Sequence, residues 1–326
     1  MMDPTRLWYG PSLLSWFLLP LSWLYCAIVR VRRLGYRLGW MNVEQLAVPV
    51  IVVGNLTVGG TGKTPLVLRL AALLQERGWT PGIITRGYRG KAEAWPQSVR
   101  PASDPVQVGD EPVLLARRSG CPVVAGPDRV SAGRMAIATG GCDILLSDDG
   151  LQHYALGRDL EILVIDAQRG FGNGRCLPAG PLREPVSRRA SVDLVVYKEG
   201  AGQGHGMRLE PGEVRSLCAP DRALELADFR AESILAVAGI GDPERFFRVL
   251  EGEGLKIARR PFPDHHCYTA ADVAAWGDRT VIMTEKDAVK CAAFATERHW
   301  YLSVEARLDA AFETHFFAKL TEFTRG

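Results

Sequence analysis

From residue 50 onward the chain alternates between two hydrophobic patterns. Short runs at 50–53, 82–85, 122–125, 143–146, 161–165 and 192–197 are apolar at most successive positions rather than at every second one, Asp143, Glu161 and Asp193 apart. Such runs suit strands covered on both faces, as in a parallel sheet. Between them the spacing turns helical. Val67, Leu70, Ala71 and Leu74 recur at helical intervals before Gly78 supplies a stop, and further helices read at 110–118 and 128–138. The alternation predicts an α/β fold, a doubly wound and mostly parallel sheet, over residues 41–205.

The stretch around 200–212 is rich in Gly and poor in bulk, which reads as a linker or hairpin, bounded here at 206–230. Beyond it, strands at 235–240, 280–284 and 300–304 alternate with helices at 243–250, 270–276 and 309–323. That predicts a second, smaller α/β domain over 231–326, whose last helix is free to return to the first. The sequence has no internal repeat.

Residues 1–40 follow a different rule. Leu7 to Val29 contain no charged residue, and Arg30, Arg32, Arg33 and Arg37 follow at once. A signal peptide carries its basic residues before the apolar run, so cleavage is not expected. The run barely reaches the ~20 residues of a spanning helix. Pro11 and Pro20 break it, and Ser12, Ser15 and Ser22 dilute it. The reading that fits is a membrane-associated helix in the interface, with Trp8, Trp16 and Trp23 at headgroup depth and the arginines toward anionic lipid. A buried core helix with a solvated basic face is the plainer alternative.

The 326 residues leave ample room for a core, and a formal charge of +2 gives no global sign of nucleic-acid binding. Seven cysteines lie scattered without a C-x-x-C pair, which argues against a disulfide framework or zinc site and for a reducing compartment.

The most informative stretch is Gly54-Asn55-Leu56-Thr57-Val58-Gly59-Gly60-Thr61-Gly62-Lys63-Thr64-Pro65, between an apolar strand and an amphipathic helix. This is the setting of a phosphate-binding P-loop. Glycines let backbone N–H groups turn toward phosphate oxygens, Lys63 reaches the β/γ-phosphates, and the Thr64 hydroxyl can ligate Mg²⁺. The strict motif would require glycine where Thr57 stands. Thr57, Gly59, Gly60, Thr61, Gly62, Lys63 and Thr64 are the expected nucleotide contacts. The run 143–149 ends in Asp148-Asp149, the acidic strand end that manages Mg²⁺ in such sites. Either carboxylate can reach the metal. Glu111 can assist, or merely solvate a helix start.

Several further stretches complete a pattern: Thr85-Arg86-Gly87-Tyr88, Val108-Gly109-Asp110-Glu111-Pro112, Asp148-Asp149-Gly150-Leu151-Gln152-His153 and Leu177-Pro178-Ala179-Gly180-Pro181-Leu182-Arg183-Glu184. Val237-Ala238-Gly239-Ile240-Gly241, Asp264-His265-His266 and Thr284-Glu285-Lys286-Asp287 follow in order. With the P-loop, this series resembles the tetraacyldisaccharide 4′-kinase family of lipid A biosynthesis, in which the missing P-loop glycine is normal. The resemblance implies transfer of the ATP γ-phosphate to the 4′-hydroxyl of a tetraacylated glucosamine disaccharide 1-phosphate, forming lipid IV-A.

The same resemblance implies ATP and Mg²⁺ as cofactors, a membrane-held lipid partner and a place at the cytoplasmic face of the bacterial inner membrane. It pairs Asp110, as base, with His265, beside Lys63 and Asp149 as catalytic groups. Position alone would equally make Asp110 a helix cap. Arg129, Gln152, His153 and Arg183 become candidate substrate contacts, Arg129 reading equally well as a surface arginine. No nucleic acid and no obligate protein partner is expected. Gly239-x-Gly241 lacks the third glycine of a dinucleotide motif, and the Lys-Asp pair does not form the guanine-reading pattern. The rival from another class is a membrane-recruited P-loop ATPase or GTPase switch, which needs no base aimed at an acceptor. A scaffold with a vestigial loop would not need Lys63, Thr64 and both aspartates.

Overall fold

The computed structural model describes residues 4–324, apart from Ala201 and Pro220. The chain opens with helices α1 (Pro4–Tyr9), α2 (Leu13–Phe17) and α3 (Leu19–Arg37). Pro11 falls between the first two, and Pro20 sits in the first turn of α3, where it sacrifices no helical hydrogen bond. Among the described residues, no helix is long and apolar enough to cross a membrane.

The nucleotide-fold half follows as β1 (Val50–Gly54), α4 (Lys63–Glu76), β2 (Pro81–Thr85), β3 (Gln97–Val99), α5 (Pro105–Val108), α6 (Asp110–Ser119), β4 (Val123–Ala125), α7 (Arg129–Gly140), β5 (Ile144–Asp148), β6 (Leu160–Asp166) and β7 (Leu194–Lys198). Then come β8 (His205–Ser216), β9 (Ala223–Leu224), β10 (Ser233–Ala238), α8 (Pro243–Gly252), β11 (Lys256–Pro261), α9 (Ala270–Ala274), β12 (Thr280–Thr284), α10 (Glu285–Cys291), β13 (His299–Leu308) and α11 (Ala310–Thr324).

All thirteen strands form one sheet, ordered β11-β10-β12-β13-β8-β7-β6-β1-β5-β2-β4-β3, with β9 beside β8. β1 lies between β5 and β6, parallel to both, so the P-loop leaves the middle of the sheet. Its residues are buried throughout, which is why the run reads as continuously apolar. One core cluster, including Leu66, Leu70, Leu74, Val113 and Leu115, packs α4 and α6 on one face of the sheet. A second, including Val130, Ala136 and Leu151, packs α7 on the other, with Tyr25 and Cys26 of α3 against it.

Two features depart from the sequence reading. The Gly-rich stretch expected as a linker or hairpin supplies β8, which pairs parallel with β7, antiparallel with β13, and antiparallel with β9. The two expected units therefore share one continuous sheet. α11 packs against α4, with Phe312, Phe316 and Leu320 in the same core cluster and Glu313 paired to Arg69 at 2.8 Å.

Candidate active site

β1 delivers the chain into the P-loop, and α4 takes it away. Gly62, immediately before α4, has φ +86, a conformation that β-carbons disfavour. A side chain there would also press on Lys198 Cδ at 3.0 Å. Asn55 organises the loop from inside: its buried amide donates to the Thr57 carbonyl at 2.8 Å, and its carbonyl oxygen accepts from Lys63 Nζ at 3.1 Å. Thr57 itself is buried and bridges to Leu182, so its backbone joins the 176–183 loop. Gly59 and Gly60 are exposed at the rim, with nothing near the space a β-carbon would take.

β5 ends at Asp148, and Asp149 turns off it with φ +51, which sends the two carboxylates to different partners. Asp148 Oδ2 meets the Thr64 hydroxyl at 3.5 Å, while Oδ1 is buried with no hydrogen-bond partner. Burial, then the charge of Glu111, pushes the Asp148 carboxyl up to about 7. Asp149 accepts from Arg183 at 2.9 Å on both oxygens and lies 3.5 Å from Lys63 Nζ. Burial would raise this carboxyl too, but Lys63 and Arg183 more than offset it and hold it down at about 2.

The third group of residues comes from both halves of the chain. Asp110 stands at the start of α6, directly after the one-turn helix α5. It is not the helix cap, a position held by Gly109. Its Oδ1 accepts from the Glu111 N–H at 3.0 Å, and its Oδ2 lies 3.2 Å from His265 Nδ1. His265 is held at φ +60 in the turn after β11, with Tyr88 edge-on to its ring. Lys286, on α10, completes the cluster at 3.2 Å from Glu111, 3.4 Å from His265 Nε2 and 3.9 Å from Asp110. Burial alone would raise Asp110, but the His265 hydrogen bond and Lys286 hold it below the usual carboxylate range. His266, by contrast, stacks on Phe262 and pairs with Asp272, away from this cluster.

The remaining candidates ring Asp149. Arg129 is buried at the start of α7, not on the surface; it donates to the carbonyls of Gly126, Pro127 and Asp149, and its Nε has no partner. Burial lowers its guanidinium to about 10. His153 Nε2 accepts the Arg129 backbone N–H at 3.3 Å. Burial and the Arg129 charge push this imidazole down to about 4, so it is neutral at physiological pH. Gln152 is spent on structure, donating to the Asn55 carbonyl and to Glu184 and accepting from Arg183.

The structure thus gathers Lys63, Thr64, Asp148, Asp149, Glu111, Asp110 and His265 into one region, with Arg129 and Arg183 alongside. Lys286 and Asn55 belong with them although sequence gives neither a role. Asn55 sits inside the P-loop stretch, and Lys286 in the Thr284-Glu285-Lys286-Asp287 stretch that follows a strand. Asp287, its neighbour, is fully buried and accepts from the Gly239 N–H and the Thr284 hydroxyl, a structural role.

A P-loop at the centre of a parallel sheet, an acidic strand end beside it and a carboxylate–imidazole pair facing them define a P-loop enzyme site of the phosphoryl-transfer class. Within that class the assignment is specific. The family described as tetraacyldisaccharide-1-P 4′-kinase matches residues 14–321, and the chain belongs to it. The tetraacyldisaccharide 4′-kinase of Alkalilimnicola ehrlichii is 53% identical over 303 residues, 92% of this chain and 91% of its own. That of Nitrosococcus oceani is 50% identical over 318 residues, 97% of this chain and 94% of its own. The crystal structure of LpxK from Aquifex aeolicus in complex with ATP superposes with a TM-score of 0.81 at 29% identity, covering 94% of this chain and 99% of that one.

Proposed function

We infer that this chain transfers the γ-phosphate of ATP to the 4′-hydroxyl of a tetraacylated glucosamine disaccharide 1-phosphate, giving lipid IV-A and ADP. The observation that carries this reading is the Asp110–His265 pair, supported by Lys286, on the same side of the sheet as the P-loop. A switch that only hydrolyses nucleotide has no use for a base prepared for an acceptor hydroxyl.

The P-loop amides, Lys63 and the α4 N-terminus bind the phosphates and neutralise charge on them. Asp110, kept ionised by its neighbours, takes the proton of the attacking hydroxyl. His265, with Nδ1 against Asp110 and Nε2 against Lys286, then fixes the carboxylate and spreads its charge. Such general-base help is worth about 10²–10⁴-fold in rate. The unpartnered buried Nε of Arg129 supports its reading as a candidate phosphate contact.

The residues present also fit Mg²⁺. Asp148, whose buried Oδ1 has no hydrogen-bond partner, has the Thr64 hydroxyl beside it and Glu111 near, a set of oxygen donors that suits this cation. Bound there, Mg²⁺ would neutralise phosphate charge; it needs only one or two protein ligands, because phosphates and water supply the rest. Asp149, occupied by Arg183 and Lys63, is the poorer ligand and serves to hold those two cations.

The N-terminal helices support association with the cytoplasmic face of the inner membrane, where this substrate is held. Ser15 and Ser22 face the protein at 3% and 2% exposure, while Leu13, Phe17, Trp23 and Leu24 face outward at 80%, 81%, 67% and 59%. A water-facing helix has the reverse polarity. Together with Trp16 and Trp40, this is an apolar face of the kind that beds into an interface.

The test is to follow the γ-phosphate of labelled ATP in mixed micelles containing tetraacyl disaccharide 1-phosphate. Label on the lipid supports the kinase; label released only as free phosphate would point to the membrane-recruited switch.

A further inference from the structure

The loop 176–183 is gripped from two sides. On one side lies the P-loop: the Arg183 N–H donates to the Leu56 carbonyl at 2.6 Å, and the Val58 N–H donates to the Pro181 carbonyl at 2.8 Å. On the other side lie the N-terminal helices, which reach it with side chains. Trp8 Nε1 donates to the Pro178 carbonyl at 3.1 Å and Ser15 to that of Ala179 at 2.7 Å. Ser22 donates to the Cys176 carbonyl at 2.8 Å, and Tyr25 to that of Arg183 at 2.9 Å. Four polar side chains from a segment that presents Leu, Phe and Trp outward are thus aimed at four carbonyls of one loop.

That loop carries Arg183, whose guanidinium holds both oxygens of Asp149 at 2.9 Å. The last of the four bonds, from Tyr25, lands on Arg183 itself. A membrane anchor alone would need the outward apolar face but not this inward polar one. We propose that Tyr25 is a positioning residue for phosphoryl transfer, acting through Arg183 to set Asp149, so that the N-terminal helices shape the active site as well as bearing on the membrane. The inference rests on the reading of Arg183 and Asp149 as parts of the active site.

The hydroxyl is the only atom at issue, so Tyr25→Phe keeps the ring and the packing. In the full-length protein, with labelled ATP and lipid acceptor in mixed micelles, kcat should fall about 10-fold, the scale on which slightly misplaced groups act. Binding to vesicles of phosphatidylethanolamine and phosphatidylglycerol should be unchanged, because the outward face is untouched. Arg183→Ala should cost more, and adding Tyr25→Phe to it should cost nothing further, as expected when one residue acts through the other. A double variant slower than Arg183→Ala by the full Tyr25→Phe factor would overturn the proposal, as would loss of vesicle binding in step with activity. Wild-type rates in Arg183→Ala would instead remove the site reading beneath it. Should Tyr25→Phe fail to fold, Ser22→Ala, which frees the Cys176 carbonyl, serves in the same cycle.

Discussion

Asp148 and Asp149 are adjacent in the chain, yet their carboxyl groups are driven in opposite directions, to about 7 and to about 2. The left-handed backbone at Asp149 is the cause, since it turns one side chain into the buried strand end and the other onto Lys63 and Arg183. The two residues should therefore fail differently when replaced.

Asp148→Asn should raise the Mg²⁺ concentration needed for half-maximal activity and lower kcat by orders of magnitude. Without Mg²⁺ it should also make the protein more stable at pH 8. A carboxyl raised in the folded state contributes stability that is complete below its ordinary value and gone once pH passes about 7. Melting temperatures across pH 4–8, with and without Mg²⁺, check this; wild type should lose stability as pH rises and regain it with the metal.

Asp149→Asn should show the opposite sign. Its depressed carboxyl stabilises the fold at all pH values above its ordinary range, and that contribution is lost only as pH falls toward about 2. The variant should melt lower than wild type at neutral pH, because Lys63 and Arg183 then face each other with no anion between them.

Lys286→Met removes one of the charges that hold Asp110 down. The acid limb of the kcat/KM profile should move to higher pH, by up to about one pH unit. An unmoved limb alongside a lowered plateau would assign Lys286 to substrate binding instead.

Gly60→Ala separates nucleotide binding from folding. Its added methyl meets no protein atom, so the melting temperature should hold, while ATP affinity should drop if phosphates lie over the loop. Calorimetric titration with ATP reads the second half.

On the outward face, replacing Leu21, Trp23 and Leu24 together with Asn should reduce vesicle binding at least about 10-fold, since each buried apolar side chain contributes ~1.5–3 kcal/mol. All three are exposed at 55–67%, so the fold should be unaffected.

Much of this was legible in the sequence where burial is two-sided. β1, β5 and β6 are largely apolar at successive positions because both faces are covered, and the P-loop follows from its residues and setting. β8 was hidden because few of its positions are buried and it carries Gly and Pro, so it reads as a turn. β11 lies at the sheet edge with its residues mostly exposed, and β3 is only three residues long. In α2 and α3 the serines seem to weaken an apolar helix; they are instead its protein-facing side, which hydrophobicity alone does not reveal. The approach of Asp110 to His265 spans 155 residues and two halves of the sheet. No local pattern encodes it, and only the family resemblance pointed there.

Whether Asp110 is a base for a lipid hydroxyl is read most plainly from the stoichiometry of ADP formed to lipid phosphorylated, with and without acceptor, in wild type and Asp110→Ala. One ADP per lipid carrying a new 4′-phosphate is expected, with almost no ADP without lipid and a loss of about 10²–10⁴-fold in the variant. ADP formed at the same rate whether or not acceptor is present, and undiminished in Asp110→Ala, would contradict it.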